Sequence, residues 1–284
     1  MKAEKASREN IIQYYHRTEW VYRNYWELDK SMGLHYGFWD DTVKTHAESI
    51  VRQNACMAEM AGIQATDKVL DAGCGVGGSS IFLAKNVGCE VTGITITPNQ
   101  VLRAKAYAQK LGVEHNTTFL EMDYTKMDFP DASFDVVWAI ESVCHAKDKK
   151  AFFSEAFRVL KKGGRLILAD CFTNENKPNA KEEKQLMQNG FHGWEITHVC
   201  NEKSFRTDCT ALGFSELSFV NKNKEVAPSM RLLLKKLNFW LIPGWLYYKF
   251  GGITDTEYMN AYGSYNICKT FQKFWDYNVF IARK

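Results

Sequence analysis

Short apolar runs alternate with amphipathic stretches from residue 68 onward, which predicts strands alternating with helices. The runs are apolar almost throughout rather than at every second position, which is typical of a parallel sheet covered by helices on both faces. Strands are expected at Lys68–Ala72, Glu90–Ile94, Thr118–Met122, Asp135–Ile140 and Arg165–Cys171, with helices near Gly77–Val87, Pro98–Gly112 and Lys149–Leu160. The pattern therefore predicts an α/β fold.

The first 65 residues differ from this pattern, because they follow helical spacing and are crowded with aromatic side chains. Residues 1–30 and Thr45–Gly62 predict helices, and the glycine-punctuated segment Met32–Asp41 lies between them. An aromatic helix needs a surface to pack against. We therefore expect residues 1–65 to form a helical cap that belongs to the same domain as the sheet.

The end of the chain returns to strands after a long interruption. Phe214–Phe219 and Tyr277–Arg283 predict the last two strands, so that the sheet would have seven in all. Residues 222–265 between them do not alternate like a strand, and an insertion of this length usually has a purpose of its own. We expect one elaborated domain, with its core at 66–221 and 266–284 and with 222–265 as a helical lid or substrate-binding insertion.

Composition narrows the class of protein. The 284 residues are 45% hydrophobic and 24% charged with a net charge of +3, which excludes disorder and gives no basic face for nucleic acid. The charged N-terminus lacks the apolar core of a signal sequence, and no stretch of 18 apolar residues occurs. The eight cysteines form no close pairs, so we expect reduced thiols, no bound metal and a cytoplasmic protein.

A glycine-rich loop follows the first predicted strand directly. The spacing Gly73-x-Gly75-x-x-Gly78 matches the dinucleotide fingerprint, so an NAD-dependent oxidoreductase is one interpretation. Asp71 argues against it, because a carboxylate just before the loop would repel a pyrophosphate but attract the ammonium and sulfonium groups of S-adenosylmethionine. The ribose-binding acid expected after the second strand is also missing, since Thr95 stands there.

Other polar residues follow the second and third strands, at the sheet edge where such folds bind ligands. Gln100 could present its amide to a ribose and Thr95 its hydroxyl, although a plain surface glutamine beside a Pro-initiated helix is equally compatible with the sequence. Asp123 could accept the adenine amino group while Tyr124 lies against the ring. The alternative for Asp123 is a loop-capping role.

Glu141 and His145 follow the fourth strand and are the leading candidates for chemistry. A base near a methyl acceptor can remove a proton, and histidine is suited to this at neutral pH. Structural alternatives stay open: His145 could be a hydrogen-bonded structural residue, and Glu141 could orient a ligand or start a helix. Ile140, the last residue of the same strand, joins the expected cofactor-binding set.

Together these elements resemble the class I S-adenosylmethionine-dependent methyltransferases, across roughly residues 66–172. Within that superfamily, residues 93–100 (GITITPNQ) and 141–146 (ESVCHA) are similar to the cyclopropane fatty acid synthases, sterol C-methyltransferases and tocopherol methyltransferases. The expected fold is then a Rossmann-like, seven-stranded, mostly parallel sheet with helices on both faces, an N-terminal helical cap and a helical insertion before the last strand.

The resemblance implies S-adenosylmethionine as the cofactor and assigns residues to each part of it. Its methionine and ribose portion would lie against Asp71, Gly73 and Gly75, and its adenine between Asp123 and Tyr124. Thr95 and Gln100 would serve the ribose, and the candidate catalytic residues Glu141 and His145 would lie near the acceptor. The families named act on hydrophobic, often isoprenoid acceptors.

Aromatic residues outside this core are the candidates for acceptor binding. Tyr14, Tyr15, Tyr36 and Trp39 could stabilise a cation formed on an alkene, although aromatic residues at helical spacing usually serve packing. Trp240 and Trp245 lie among basic residues in 230–252. That segment is interpreted as a lid, a dimer contact or a peripheral contact with an anionic membrane.

The function expected from these patterns is methyl transfer to a hydrophobic small molecule, first of all to a carbon atom of an isoprenoid, lipid, sterol-like or quinone-like acceptor. Transfer to nitrogen or oxygen of a small amine or phenol would use the same fold. The alternatives from other classes are the NAD-dependent oxidoreductase and a protein that binds the cofactor without catalysis. The oligomeric state is left open.

Overall fold

The computed structural model describes residues 2–284, with side chains from residue 8 onward, and its centre is a mixed sheet. The order of the main path is β3-β2-β1-β4-β5-β8-β7, and β6 pairs only with β5. The strands are β1 (Lys68–Ala72), β2 (Glu90–Thr95), β3 (Thr117–Glu121), β4 (Phe134–Ile140), β5 (Leu160–Thr173), β6 (Cys200–Asn201), β7 (Ser215–Asn221) and β8 (Trp275–Arg283). The predicted α/β class and the mostly parallel sheet are confirmed.

Burial explains why the apolar runs became strands. In β1 and β4 nearly every residue is buried, as expected for strands covered on both faces. β8 runs antiparallel to both β5 and β7 and lies between them, although it comes last in the chain. Over residues 2–284 the sheet has eight strands, one more than the seven expected, because the two-residue β6 is too short to leave a pattern in the sequence.

Helices cover both faces and extend the fold at its two ends. They are α1 (Lys2–Tyr25), α2 (Leu28–Ser31), α3 (His46–Met60), α4 (Gly78–Asn86), α5 (Pro98–Leu111), α6 (Lys149–Val159), α7 (Ala180–Glu183), α8 (Glu202–Leu212), α9 (Asn223–Lys249) and α10 (Asp255–Thr270). Local signals fix several starts: the Thr45 side chain accepts from the backbone N–H of Glu48 in a capping box, and Asp148 caps α6.

The long segment before the last strand is a pair of helices. α9 is 27 residues long and continues through Pro228 and Pro243, and α10 runs on to Thr270. The two helices pack against each other, and α10 also contacts α1. Residues far apart in the chain are thereby brought over the same edge of the sheet.

Candidate active site

A cavity of about 840 Å³ lies where the carboxyl ends of the parallel strands meet the helices from both ends of the chain. Its floor includes Asp71, Thr95, Ile140 and Asp170, which lie at the ends of four parallel strands. Its cover comes from α1, α9 and α10. This is the edge at which open α/β sheets bind ligands.

The glycine-rich loop forms one end of the cavity with a backbone that excludes side chains. Gly73 has a φ of 85° and Gly75 a φ of 53°, both in the left-handed region that favours glycine. A Cβ added to Gly73 would lie 2.4 Å from the Cβ of Ser142. Gly73 is therefore packed too closely against Ser142 for a side chain, and both glycines line the cavity with backbone atoms.

Asp71 lies under this loop as a buried carboxyl group. Its Oδ2 accepts a hydrogen bond of 2.6 Å from the hydroxyl of Ser80 at the start of α4. Burial raises the pKa of Asp71 to about 6, and the hydrogen bond from Ser80 opposes that rise. A positively charged ligand beside it would favour the ionised form.

Thr95 and Gln100 meet beside the loop. The hydroxyl of Thr95 donates to Oε1 of Gln100 at 2.8 Å, and both residues are buried and line the cavity. This orientation leaves the Gln100 amide nitrogen available to a ligand. The alternative of a surface glutamine is wrong, because the side chain is 7% exposed. The buried hydroxyl of Thr97, also on the cavity wall, has no hydrogen-bond partner among the described residues.

Asp123 and Tyr124 lie on the cavity wall after β3. Oδ1 of Asp123 accepts hydrogen bonds from the backbone N–H and the hydroxyl of Thr125, at 2.8 and 2.7 Å, so the residue does cap its loop. Its other oxygen is not used in this turn. The Tyr124 hydroxyl donates to the carbonyl of Ser142 at 2.7 Å, which fixes the ring on the wall.

Glu141 lies at the junction between the loop and the rest of the cavity. Its φ of 46° is in the left-handed region, an uncommon conformation for glutamate. Oε1 accepts from the backbone N–H of Tyr36 at 2.9 Å and from the hydroxyl of Tyr277 at 2.7 Å. Burial raises the pKa of Glu141 to about 8, against these two hydrogen bonds.

His145 faces the same cavity from the short 3₁₀ turn Val143–His145. Its Nε2 lies 3.0 Å from the hydroxyl of Tyr15, and the two rings meet edge to face. Burial lowers the pKa of His145 to about 4. The imidazole is therefore neutral at pH 7, so it can accept or relay a proton but carries no charge in the free protein.

Aromatic side chains line the part of the cavity beyond Glu141, which we call the aromatic chamber. It is lined by Tyr14, Tyr22, Tyr36, Trp194 and Trp240. It also carries polar groups, because the hydroxyl groups of Tyr14 and Tyr22 lie 2.9 Å apart and Asn260 donates to Tyr14 at 2.6 Å. The chamber can hold a largely apolar molecule that has a few polar atoms.

Two of the expected aromatic residues lie outside the lining of this cavity. The indole N–H of Trp39 donates to the hydroxyl of Ser229 at 2.8 Å, so Trp39 packs α9 against the cap. Trp245 is 45% exposed. On a helix with 3.6 residues per turn, five residues rotate a side chain by roughly 140°, so Trp245 points away from the side that Trp240 occupies.

The sequence analysis missed residues that contact the candidate catalytic groups. Tyr277 hydrogen-bonds to Glu141 across 136 positions of sequence, and Gln53 of α3 donates to Tyr277 at 2.8 Å. Asp170, whose pKa burial raises to about 6, accepts from the backbone N–H of Cys144. No local pattern distinguishes these residues from ordinary strand and helix positions.

Comparison with known proteins identifies the central part of the chain. Residues 70–168 match the family described as "Methyltransferase domain". The chain carries a methyltransferase domain. Its limits enclose the glycine-rich loop, Glu141 and His145, and the resemblance inferred from the sequence is confirmed at this level.

Relatives of the methyltransferase domain are similar over about half of this chain. This chain is 39% identical over 142 residues to the sterol 24-C-methyltransferase of Eremothecium gossypii, and the match covers 50% of this chain and 38% of that protein. It is 43% identical over 145 residues to the 27-O-demethylrifamycin SV methyltransferase of Amycolatopsis mediterranei, covering 50% and 53%. The matched region thus spans about half, or less, of the length of these curated relatives.

The fold is shared over nearly the whole chain. The crystal structure of mycolic acid cyclopropane synthase CmaA1, complexed with SAH and CTAB, superposes with a TM-score of 0.79 at 18% identity and covers 98% of both chains. The cap and the helices before the last strand therefore belong to an architecture that this synthase has as well.

Proposed function

We propose that this chain transfers the methyl group of S-adenosylmethionine to a carbon atom of a hydrophobic small molecule of isoprenoid, lipid, sterol-like or quinone-like type. The observation that carries the proposal is one continuous cavity that joins the glycine-rich loop to the aromatic chamber, with Glu141 and His145 on its wall. The space beside those two residues is open, which favours catalysis over cofactor binding alone.

The loop end of the cavity fits S-adenosylmethionine. Asp71 supplies a carboxylate for its cationic groups, and Gly73 and Gly75, which line the cavity, have no side chain that would hinder close approach. The Gln100 amide suits the ribose hydroxyl groups, and Asp123 suits the adenine amino group beside Tyr124. When bound, this cofactor supplies a methyl group on a positively charged sulfur, whereas Asp71 would repel the pyrophosphate of NAD.

The protein's main contribution to methyl transfer is to place the acceptor atom about 3–3.5 Å from the methyl carbon and to exclude water. In the case of an alkene acceptor, its π electrons would form the new carbon–carbon bond to the methyl group while the sulfur–methyl bond breaks. The electron pair of the broken bond would stay on sulfur, and the positive charge would be left on the alkene. The faces of aromatic rings such as Tyr36 stabilise that cation. A proton from the neighbouring carbon then passes to Glu141, which restores the double bond.

The protonation of Glu141 suits this role. In the free cavity its carboxyl group is protonated near pH 7, because burial raises its pKa to about 8. A positive charge within about 4–6 Å favours the ionised form. The base therefore becomes available when the cavity holds a cation. His145, which burial keeps neutral, lines the same cavity and is hydrogen-bonded to Tyr15.

Methylation of oxygen or nitrogen is the second candidate. It is favoured by the likeness to 27-O-demethylrifamycin SV methyltransferase, whose name refers to an oxygen site. A phenol or amine acceptor would need a base and no cation stabilisation. The two candidates differ in the product, which has a new carbon–carbon bond in one and a methyl ether or methylamine in the other.

Two measurements test the function. Calorimetry with S-adenosylmethionine, S-adenosylhomocysteine and NAD should give binding of the two adenosyl ligands and none of NAD; the reverse would refute the proposal. Incubation with labelled cofactor and a lipid extract, followed by mass spectrometry, identifies the acceptor and the methylated atom.

Substitution of Glu141 then tests its role. Glu141→Gln keeps an oxygen that can accept from Tyr36 and Tyr277. We expect turnover to fall by about 10²-fold or more with cofactor affinity within about twofold. An equal loss of turnover and of cofactor affinity would indicate that Glu141 serves cofactor binding instead. A matched substitution, Glu114→Gln on the protein surface, should change neither.

We also propose that α9 contacts an anionic membrane surface and passes the acceptor to the cavity. The inner side of α9 lines the cavity with Leu233, Leu237 and Trp240. The outer side of its second half carries exposed apolar residues beside exposed Lys235 and Lys249, which fits an amphipathic helix on anionic lipid. The exposed apolar residues are Phe239, Ile242, Trp245, Leu246, Tyr247 and Phe250. Among the described residues no helix is long and apolar enough to cross a membrane.

Vesicle flotation tests this contact. The protein should float with vesicles containing phosphatidylserine and less with neutral ones, and Phe239→Ser with Phe250→Ser should abolish flotation, because both side chains are 86% exposed. Leu102→Ser on α5, which is 66% exposed, is the matched control. Flotation that persists in the double variant would overturn the proposal. A dimer by sedimentation that the double variant dissociates would assign the surface to self-association instead.

A further inference from the structure

A buried chain of hydrogen bonds leads from the cap to Glu141. Nδ1 of His35 lies 3.0 Å from Oε1 of Gln53, and Nε2 of Gln53 donates to the hydroxyl of Tyr277 at 2.8 Å. That hydroxyl lies 2.7 Å from Oε1 of Glu141. His35, Gln53 and Tyr277 are each less than 10% exposed.

The direction of every bond in this chain follows from its ends. Nδ1 of His35 also lies 2.8 Å from the carbonyl of Tyr36, so it faces two oxygen atoms and must carry the proton. Gln53 then accepts at its oxygen and donates from its nitrogen. Because the oxygen of Tyr277 receives that bond, its own proton points to Glu141.

Glu141 is thereby left with one occupied and one free oxygen. Oε1 accepts from both Tyr277 and the backbone N–H of Tyr36. Among the described residues, none is hydrogen-bonded to Oε2, and Glu141 lines the cavity. The proton of the neutral carboxyl group therefore resides on Oε2, where a ligand can reach it.

We propose that Tyr277 and Gln53 are positioning residues that hold Oε1 of Glu141 and direct Oε2 into the cavity as the atom that exchanges a proton with the acceptor. The inference rests on the proposed function of Glu141 as a base. Neither Tyr277 nor Gln53 needs to contact the acceptor for this role.

The groups that face Glu141 explain why the chain controls its ionisation. Asp170 on β5 disfavours the negative charge, whereas the hydrogen bonds from Tyr277 on β8 and from the Tyr36 backbone favour it. Tyr15 and Tyr22 of α1 and Cys171 of β5 also lie near Glu141, and all three side chains are uncharged because burial raises their pKa values. Among the side chains that the structure describes, Tyr277 is the one that donates to the carboxyl group, and the bond from Gln53 strengthens that donor.

The test measures the carboxyl group itself as well as activity. The infrared C=O band of protonated Glu141 is assigned by its loss in Glu141→Gln and followed against pH. Tyr277→Phe removes the donor, and the band should titrate about one pH unit higher than in the unchanged protein. Gln53→Met should give a smaller shift in the same direction. Tyr107→Phe is the matched control, because that hydroxyl donates to Asp29 on the surface.

Kinetics supply the second readout. In Tyr277→Phe the rise of kcat/KM with pH should move upward with the band, because kcat/KM reports the ionisation of the free enzyme, and kcat/KM should be down about tenfold at pH 7.5. An unshifted band in both Tyr277→Phe and Gln53→Met would overturn the inference. If Tyr277→Phe does not fold, Gln53→Met decides.

Failure of the proposed function is distinguishable from failure of this inference. If Glu141→Gln retains turnover, Glu141 is not the base, and that part of the proposed function fails. The infrared shift still decides whether Tyr277 and Gln53 control the carboxyl group.

Discussion

The buried carboxyl groups Asp71, Glu141 and Asp170 have raised pKa values for the same reason, which is loss of hydration. They differ in the groups that donate hydrogen bonds to them. Asp71 accepts from a serine hydroxyl, Glu141 from a tyrosine and a backbone N–H, and Asp170 from backbone N–H groups. Of the three, Glu141 is the carboxyl group that is protonated near pH 7 and that ionises when positive charge enters the cavity, because its pKa is about 8 and those of Asp71 and Asp170 are about 6.

Cofactor affinity should therefore depend on pH through Asp71. Its pKa of about 6 in the free protein means that acid protonates it, and binding of a cation must then displace the proton. We expect the affinity for S-adenosylmethionine to fall as pH decreases from 7.5 to 5.5. Asp71→Asn should have a lower affinity at pH 7.5 and less pH dependence, as measured by calorimetry. Equal pH dependence in the variant would contradict this assignment.

Gly73 should be far less tolerant of a side chain than Gly62. Both have positive φ, of 85° and 59°, but only Gly73 has a neighbour that a Cβ would meet. Gly73→Ala should cost about 2–4 kcal/mol in the free energy of unfolding, from the left-handed backbone and the clash with Ser142. Gly62→Ala should cost about 1 kcal/mol. Urea denaturation compares the two, and similar losses would show that the clash is relieved.

For individual site residues, the sequence predicted those that directly follow a strand. It missed those that reach the site from a distant part of the chain. Asp71, Thr95 and Glu141 could be placed because strand ends converge at one edge of a parallel sheet. Tyr277 could not, because its contact with Glu141 depends on the pairing of β8 with β5. Trp245 was expected in the site because composition does not tell which side of a helix faces inward.

Among the elements, the strands and the helices around the sheet were predicted to within a few residues, since their apolar runs are long and clearly bounded. β5 is longer than expected and begins at Leu160. α9 was not predicted as one helix because Pro228 and Pro243 interrupt its pattern. Its packing against α10 outweighs what those prolines cost.

The start of α3 makes the cap sensitive to acid. His46 is buried against Trp26, with ring centroids 4.3 Å apart, and burial lowers its pKa to about 4. Neither ring nitrogen has a hydrogen-bond partner among the described residues. Because the unfolded chain binds a proton near pH 6.5 and the folded one does not until about pH 4, stability is lost as pH falls through this window.

His46→Phe should reduce this dependence, and the remainder comes from His35 and His145, whose pKa values burial also lowers. We expect its melting temperature to exceed that of the unchanged protein by more at pH 5 than at pH 7.5, as followed by circular dichroism. His16→Phe, at an exposed position of α1, is the control and should show no such difference. A constant offset at both pH values would mean that His46 does not carry the effect.

The whole molecule builds its site from nearly the full length of the chain. The methyltransferase domain supplies the cofactor end, while Tyr14 and Tyr36 come from before it and Trp240 and Tyr277 from after it. Sequence motifs predicted the cofactor end of the site, because the residues of a motif are close together in the chain. The rest of the site depends on how the cap and α10 pack together, which the sequence pattern does not express.

Ligand binding should protect α1 from proteolysis. α1 covers the cavity with Tyr14 and Tyr15 and is held to the core by ion pairs from Arg8 to Glu121 and from Arg103 to Glu19. A ligand that binds only the closed form stabilises it by about 2.7 kcal/mol at a hundredfold excess over Kd. Trypsin cleavage within residues 8–23 should slow with S-adenosylhomocysteine and be unchanged with NAD. Faster cleavage in the presence of S-adenosylhomocysteine would contradict the role of α1 as a cover of the cavity.

The position of β8 has a consequence for synthesis of the protein. A nascent chain emerges from the ribosome in order, so β5 and β7 are made long before the strand that separates them. Until translation has passed residue 283, each has an edge with unpaired backbone groups, and Glu141 has no tyrosine donor. The glycine-rich loop can form early, but the active site cannot. Chaperones that shield exposed strand edges should therefore act on this protein late in its translation.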